Sequence, residues 1–149
     1  MKSLDLRSML LAKHAQHVVL IHFPIALCLV GIFFDFLYQW TRKREFEVVS
    51  YYNLSVAALF TIPVLATGLL AWHWQLEGQA LKGKLLLHLV LGFASSSLLW
   101  VIWAVHYRAR SAPKSALPLY RLPVEVLGAM VIALTAHLGG FLSGVNVPR

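Results

Sequence analysis

Four histidines stand out because each lies near the end of a long apolar run: His22, His73, His88 and His137. Neutral imidazole nitrogens are axial ligands of haem iron. Ionisable side chains are rare within membrane-spanning segments, where they mostly serve a cofactor, an ion or a substrate. Two imidazoles on different helices would supply both axial positions of a b-type haem. The pattern therefore predicts one or two bis-histidine haem b sites, with the pairing of the four histidines left open.

The composition indicates that these residues lie in a bilayer. The chain has 149 residues, of which 59% are hydrophobic and 13% charged, and its mean hydropathy is +0.71. A water-soluble core of this size cannot bury so much apolar surface. The formal net charge of +7 comes from short basic clusters between the apolar runs, which is typical of membrane topology signals. We therefore expect a lipid bilayer as the partner and no binding of nucleic acid.

The cysteine content restricts the chemistry further. Cys28 is the only cysteine, and it lies within the first apolar run. A disulfide framework and a four-thiolate metal site are therefore excluded. The sequence also lacks a C-x-x-C-H motif, so this chain cannot attach a c-type haem covalently.

The apolar runs predict the elements that position the histidines. About 20 apolar residues are enough for a helix to cross a bilayer. The predicted spans cover residues 18–40, 48–74, 85–107 and 122–142. Their short polar connections favour an up-and-down arrangement. The sequence thus predicts an all-α, four-helix transmembrane bundle, with residues 1–149 forming a single transmembrane domain.

The N-terminal residues predict a short amphipathic helix on the membrane surface. They lack a short apolar core followed by a small-residue cleavage site, so we expect no cleaved signal peptide. His14 and His17 are predicted to face solvent on this surface helix. Pro24 is predicted in the first turn of the first span, which would place the start of the straight helix near His22. No internal repeat is apparent in the sequence.

The four histidines are predicted to form a histidine belt at one end of the bundle, because spans one and three begin there and spans two and four end there. A porphyrin beside this belt needs flat space, for which the candidates are Gly68, Gly92 and Gly139. Its propionates need cations at the membrane surface, for which the candidates are Lys13, Lys82 and Lys84.

A second polar group is predicted near the opposite end, from Asp35, Asn53, His106 and Glu125. Buried acids and histidines at such a depth could form a proton path or a quinone site. The alternative is that Asp35 forms an ion pair with Arg42 or Arg44. Glu125 would then lie near the N-terminus of the fourth helix, where the helix dipole favours an acid.

The charge distribution predicts an orientation. The connections after the first and third spans, residues 42–44 and 108–121, are more densely basic than the other segments. Basic connections are usually cytoplasmic. We therefore expect a multi-pass protein of the bacterial inner membrane, with both termini and the histidine belt on the periplasmic side.

Particular sequence motifs resemble a known family. His22-Phe23-Pro24-Ile25-Ala26 is followed by Asp35, Gly68 with Trp72, His88, and Leu138-Gly139-Gly140 with Gly144 and Val147. Over nearly the whole chain this pattern is similar to a bacterial membrane protein family, domain of unknown function 2231. The resemblance implies four membrane helices with haem-binding or redox function. It also implies a haem on His22 and His88, and makes a second haem on His73 and His137 particular to this protein.

These observations predict a b-type cytochrome subunit, an electron-transfer component rather than a stand-alone enzyme. It would pass electrons between a periplasmic redox partner, such as a c-type cytochrome, and a membrane acceptor or quinone. With no soluble module, it would work with other membrane or periplasmic redox subunits. Two alternatives remain open: a structural or assembly subunit without a cofactor, and a transition-metal transporter whose imidazoles, with His14 and His17, bind zinc or copper.

Overall fold

Within residues 13–75, 77–78, 80–111 and 117–143, the part of the chain that the computed structural model describes, the protein forms four long α-helices. They are α1 (Lys13–Thr41), α2 (Arg44–Gln75), α3 (Gly83–Ser111) and α4 (Arg121–Leu142). Each contains a segment long and apolar enough to cross a membrane. The prediction of an all-α protein with four transmembrane helices is confirmed.

The predicted spans lie inside these helices, and the helices extend beyond them. α1 begins at Lys13, so the prediction that Pro24 lies in the first turn of this helix is wrong. Pro24 lies inside α1, about three turns from its start, where it cannot donate the hydrogen bond that a helix-interior N–H makes. α2 contains Pro63 in its interior. The predicted surface helix falls mostly on residues 1–12, which are outside the described part of the chain.

Tight connections make neighbouring helices antiparallel. Arg42 has a left-handed backbone conformation, with φ of 58°, and its N–H donates to the Tyr38 carbonyl at 2.8 Å, which closes α1. The connection between α2 and α3 contains Gly78 and Gly83, both at positive φ. α1 and α3 therefore begin at the same end of the bundle, where α2 and α4 finish. We call this the histidine end.

The bundle consists of two closely packed hairpins, α1–α2 and α3–α4, and α1 meets α4 only over a short length. Glycines allow the helices of each hairpin to approach. A Cβ at Gly31 would lie 2.8 Å from Leu54 Cγ, and a Cβ at Gly128 would lie 2.8 Å from Ile102 Cδ1. Small residues at helix contacts are typical of membrane bundles.

The two hairpins repeat one pattern at a spacing of 71 residues. The imidazole of His17 packs on Gly68, and that of His88 packs on Gly139, so the spacing appears twice (17 to 88 and 68 to 139). The buried positions recur at the same spacing: Cys28 and Leu99, Asp35 and His106, Ser50 and Arg121, Leu54 and Glu125, Thr61 and Ile132. The sequence carries a short trace of this repeat, Lys-x-x-x-His-x-Val-Leu at 13–20 and 84–91.

The core occupies the half of the bundle away from the histidine end. Its buried apolar residues are Cys28, Ile32, Leu54, Ala57, Ala58, Leu99, Ile102 and Ile132. At the histidine end, the described residues include two buried ones, Pro24 and Ala71. Large apolar side chains cover the outside of the bundle; Phe33, for example, is 58% exposed. An apolar exterior of this kind suits contact with lipid tails.

Candidate functional site

The four predicted belt histidines all lie at the histidine end. His22 and His88 are near the starts of α1 and α3, and His73 and His137 are near the finishes of α2 and α4. His88 is half-buried, whereas the other three are exposed on the isolated chain. A cofactor bound to them would therefore lie at the surface of this bundle rather than deep in its core.

His22 and His88 each bond through Nδ1 to a backbone carbonyl, His22 within its own helix and His88 across to α4. The Nδ1 atom of His22 lies 2.6 Å from the Val18 carbonyl, and that of His88 lies 3.2 Å from the Thr135 carbonyl. Because a carbonyl can only accept a hydrogen bond, Nδ1 carries the proton in both rings. The lone pair of each imidazole is then on Nε2, which is the usual arrangement for a histidine that binds a metal.

His73 and His137 are positioned by aromatic neighbours. The His73 ring meets Trp74 edge-on at 5.5 Å between centroids, and the His137 ring meets Phe141 in the same way at 4.9 Å. The Lys84 ammonium lies 4.9 Å above the Phe141 ring. A cation is therefore present at the histidine end, as the sequence predicts for propionate binding.

The predicted flat spaces are only partly open. A Cβ at Gly68 would lie 3.0 Å from the His17 ring, and a Cβ at Gly139 would lie 3.2 Å from the His88 ring. Both spaces are thus filled by imidazoles, contrary to expectation. Gly92, one turn after His88, has no heavy atom within 4 Å of the position where its Cβ would be. Gly92 is the glycine that leaves room beside a predicted ligand.

His17 is not the solvent-facing residue that the sequence predicts. Its ring is half-buried between α1 and α2, and its Nδ1 lies 3.2 Å from the Thr67 hydroxyl. The sequence underestimates its burial because the helix that carries it belongs to the first span, not to the membrane surface. The side chain of His14 lies outside the described residues.

The opposite half contains a buried ion pair. Arg121 donates from Nε to Asp35 Oδ2 at 2.7 Å and from Nη2 to Asp35 Oδ1 at 3.2 Å. Its remaining hydrogen bonds go to the carbonyls of Leu117 and Pro118 and to the Gln39 side chain. The guanidinium is therefore fully satisfied although it is buried. The predicted pairing of Asp35 with Arg42 or Arg44 is wrong, since both of those arginines are exposed.

A second buried pair lies next to the first. His106 Nε2 is 2.8 Å from Glu125 Oε1, and both side chains are inaccessible to solvent. One ligand-type atom from each of Asp35, His106 and Glu125 lies within 4.8 Å of the others. The predicted convergence of these three residues is confirmed. Asn53, the fourth residue of the predicted group, instead donates to the Val49 carbonyl of its own helix.

Arg121 is the functional residue that sequence reasoning missed. It looked like the last cation of a basic connection, but it is 2% exposed and forms the first residue of α4. The available signal is Glu125, one turn later on the same helical face. Ionisable residues within membrane spans usually pair with one another or with carbonyls, so an arginine and an acid on one face of a span are candidates for a shared buried cluster.

The comparisons with known proteins identify the family and nothing closer. No curated protein and no solved structure matches the chain. A family model matches residues 13–146, a range that includes all four helices, the histidine belt and the buried residues Asp35, His106, Arg121 and Glu125. On this match the chain belongs to the family described as Predicted membrane protein (DUF2231).

Proposed function

We propose that this protein is a haem b-binding electron-transfer subunit of a bacterial membrane complex, with His22 and His88 as axial ligands. The observation that carries the proposal is their shared hydrogen-bonding arrangement. In both rings Nδ1 donates to a backbone carbonyl, so the lone pair of the neutral imidazole is on Nε2. Such bonds fix the ring orientation and increase the basicity of a metal-binding nitrogen.

The surroundings of His88 support a flat ligand. Gly92 leaves open space on the same helical face, and the histidine end holds few buried side chains with which a porphyrin would compete. The haem itself supplies the redox chemistry, while the protein supplies ligands, orientation and electrostatics. Lys82 and Lys84 are at this end of the bundle and suit the propionates. A second haem would use His73 and His137.

The exposure of His22 supports a role for this protein as part of a larger assembly. A side chain this accessible would leave a haem partly uncovered on the isolated bundle. Covering it requires lipid or another subunit, which agrees with a component that exchanges electrons with a periplasmic redox protein and a membrane acceptor or quinone. We place the chain in the inner membrane with the histidine end and both termini on the periplasmic side, because the connection between α1 and α2 is densely basic.

The test is a reduced-minus-oxidised absorption spectrum of the purified protein, combined with a pyridine haemochrome assay. We expect a b-type α band that His22→Ala and His88→Ala each abolish. The matched control is His106→Gln, which removes a histidine at the other end and should leave the band unchanged. Gly92→Leu, which fills the open space, should lower the haem content. A folded sample without haem, produced with ample haem supply, would refute the proposal.

A further inference from the structure

We propose that the His106–Glu125 pair, buried beside the Asp35–Arg121 ion pair, is a proton-binding site that takes up and releases one proton within the membrane. The site lies in the half of the bundle away from the histidine end and does not depend on haem.

The first step of the argument is the charge balance. Arg121 and Asp35 neutralise each other through two hydrogen bonds. The other two ionisable side chains of the cluster are Glu125 and His106. All four residues are buried, with at most 2% of their surface exposed. An ionised Glu125 beside a neutral His106 leaves one uncompensated negative charge in a low-dielectric interior, which is unfavourable. One additional proton on the pair makes the cluster neutral.

The second step is the unpartnered oxygen of Glu125. Oε1 bonds to His106, whereas Oε2 is buried and has no hydrogen-bond partner among the described residues. Buried polar atoms are nearly always satisfied, so a bare carboxylate oxygen requires an explanation. A proton on Oε2 removes the charge from this unpartnered oxygen, and a neutral carboxyl group is much less unfavourable to bury than an ionised one. The His106 hydrogen bond to Oε1 is preserved in that state.

The third step concerns the groups that face the pair. Asp35 on α1 and Arg121 on α4 lie within electrostatic range of Glu125, as does the buried Cys28 thiol. α2 contributes Ser50, whose buried hydroxyl also has no described partner. The contact between Gly31 and Leu54 fixes the antiparallel register of α1 and α2. One helical turn from this contact, the register places Ser50 level with Asp35. Each helix therefore adds a polar residue to one layer.

The fourth step is access. Glu125 is one turn inside α4, about 6 Å along the axis from Arg121. Arg121 bonds to the carbonyls of Leu117 and Pro118 in the preceding connection and to the half-buried Gln39. The polar layer is thus continuous with the membrane face that carries this connection. We expect protons to reach the pair from that face, because the apolar core separates the pair from the histidine end.

A cation other than a proton fits this site less well. Asp35, His106 and Glu125 could ligate a metal by their spacing, but both Asp35 oxygens already accept hydrogen bonds from Arg121. A divalent ion would have to displace the guanidinium, which cannot be deprotonated, and would lie beside a positive charge. A proton requires no rearrangement.

Infrared difference spectroscopy of the full chain in liposomes tests the proposal. Spectra recorded in H2O and in D2O from about pH 6 upwards, where exposed carboxyl groups are already ionised, report the carbonyl stretch of carboxylic acids that are still protonated. We expect a band equivalent to one carboxylic acid per chain that changes with pH, shifts in D2O and is lost in Glu125→Gln. The matched control Glu45→Gln removes an exposed acid from α2 and should keep the band.

Two further samples keep the result decisive. If Glu125→Gln fails to fold, Glu125→Asp retains a carboxyl group one methylene shorter, and the band should persist at an altered frequency. Zinc is added to the wild type as the metal probe and should leave the band unchanged. The proposal is overturned if no pH-dependent band depends on residue 125, or if one zinc ion per chain binds and this binding is lost in both Glu125→Gln and His106→Gln.

Discussion

Arg121 and Asp35 are 86 residues apart in the chain and are joined by two hydrogen bonds of 2.7 and 3.2 Å. Their contact ties α4 to α1, the pair of neighbouring helices that otherwise meets over the shortest length. We expect this ion pair to favour the contact between α1 and α4, because each buried charge is strongly unfavourable without the other.

Removing one member of the ion pair should destabilise the bundle. We expect Asp35→Ala to lower the free energy of unfolding by about 3–5 kcal/mol, because it leaves the Arg121 guanidinium buried and unpaired. The double variant Asp35→Leu with Arg121→Leu should recover most of this loss, since no buried charge remains. Denaturant unfolding in detergent measures the difference. Arg42→Ala, at an exposed site, is the control, and an equal effect there would contradict the structural account.

His106 should matter as a hydrogen-bond donor to Glu125. His106→Gln keeps an N–H that can reach Oε1, whereas His106→Leu leaves the carboxyl group without any described partner. We therefore expect His106→Leu to be less stable than His106→Gln by about 1–3 kcal/mol, the cost of an unsatisfied buried polar group. Thermal unfolding of the two variants provides the comparison. Equal stability would show that the hydrogen bond is dispensable.

The glycines should differ according to what they contact. Gly68→Ala and Gly139→Ala push a Cβ against the rings of His17 and His88, at 3.0 and 3.2 Å, and should each be less stable than Gly92→Ala by about 1–3 kcal/mol. Gly92→Ala enters open space and should be neutral or stabilise α3 by roughly 0.5–1 kcal/mol. Unfolding measurements on the three variants test this order. A destabilising Gly92→Ala would indicate that a further group occupies that space.

The histidines outside the proposed ligand pair should be dispensable for the haem on His22 and His88. We expect one haem per chain on His22 and His88, so His73→Ala and His137→Ala should leave the pyridine haemochrome value unchanged. His73 and His137 contact the rings of Trp74 and Phe141, and a haem held by His22 and His88 does not require either imidazole. A fall from two haems to one in either variant would assign the second pair.

Gly139→Ala links packing to ligand binding. The His88 ring rests on Gly139 while its Nδ1 bonds to the Thr135 carbonyl, so a displaced ring would lose the bond that orients Nε2. Under the proposed function we expect reduced haem content and a shifted redox potential. Gly68→Ala, which displaces His17 instead, is the matched control and should bind haem normally.

The sequence by itself determined the four helices, because long apolar runs bounded by charged or polar connections have few alternatives in a bilayer. It also determined that His22, His73, His88 and His137 share one end, since an up-and-down topology follows from short connections. The hydropathy and the length of an apolar run are local properties of the chain. Both can therefore be determined from the sequence without knowing how the helices pack.

Only the tertiary structure decided which side chains pair with each other. The sequence offers Asp35 several possible arginine partners. Asp35 pairs with Arg121 because α1 and α4 are in contact, which the sequence does not show. The hairpin repeat was hidden because what recurs is mainly burial rather than residue identity. Packing across the bundle decides how each helix is rotated about its axis and which helices it contacts. Helices that are hydrophobic on most faces do not specify either property in their sequence.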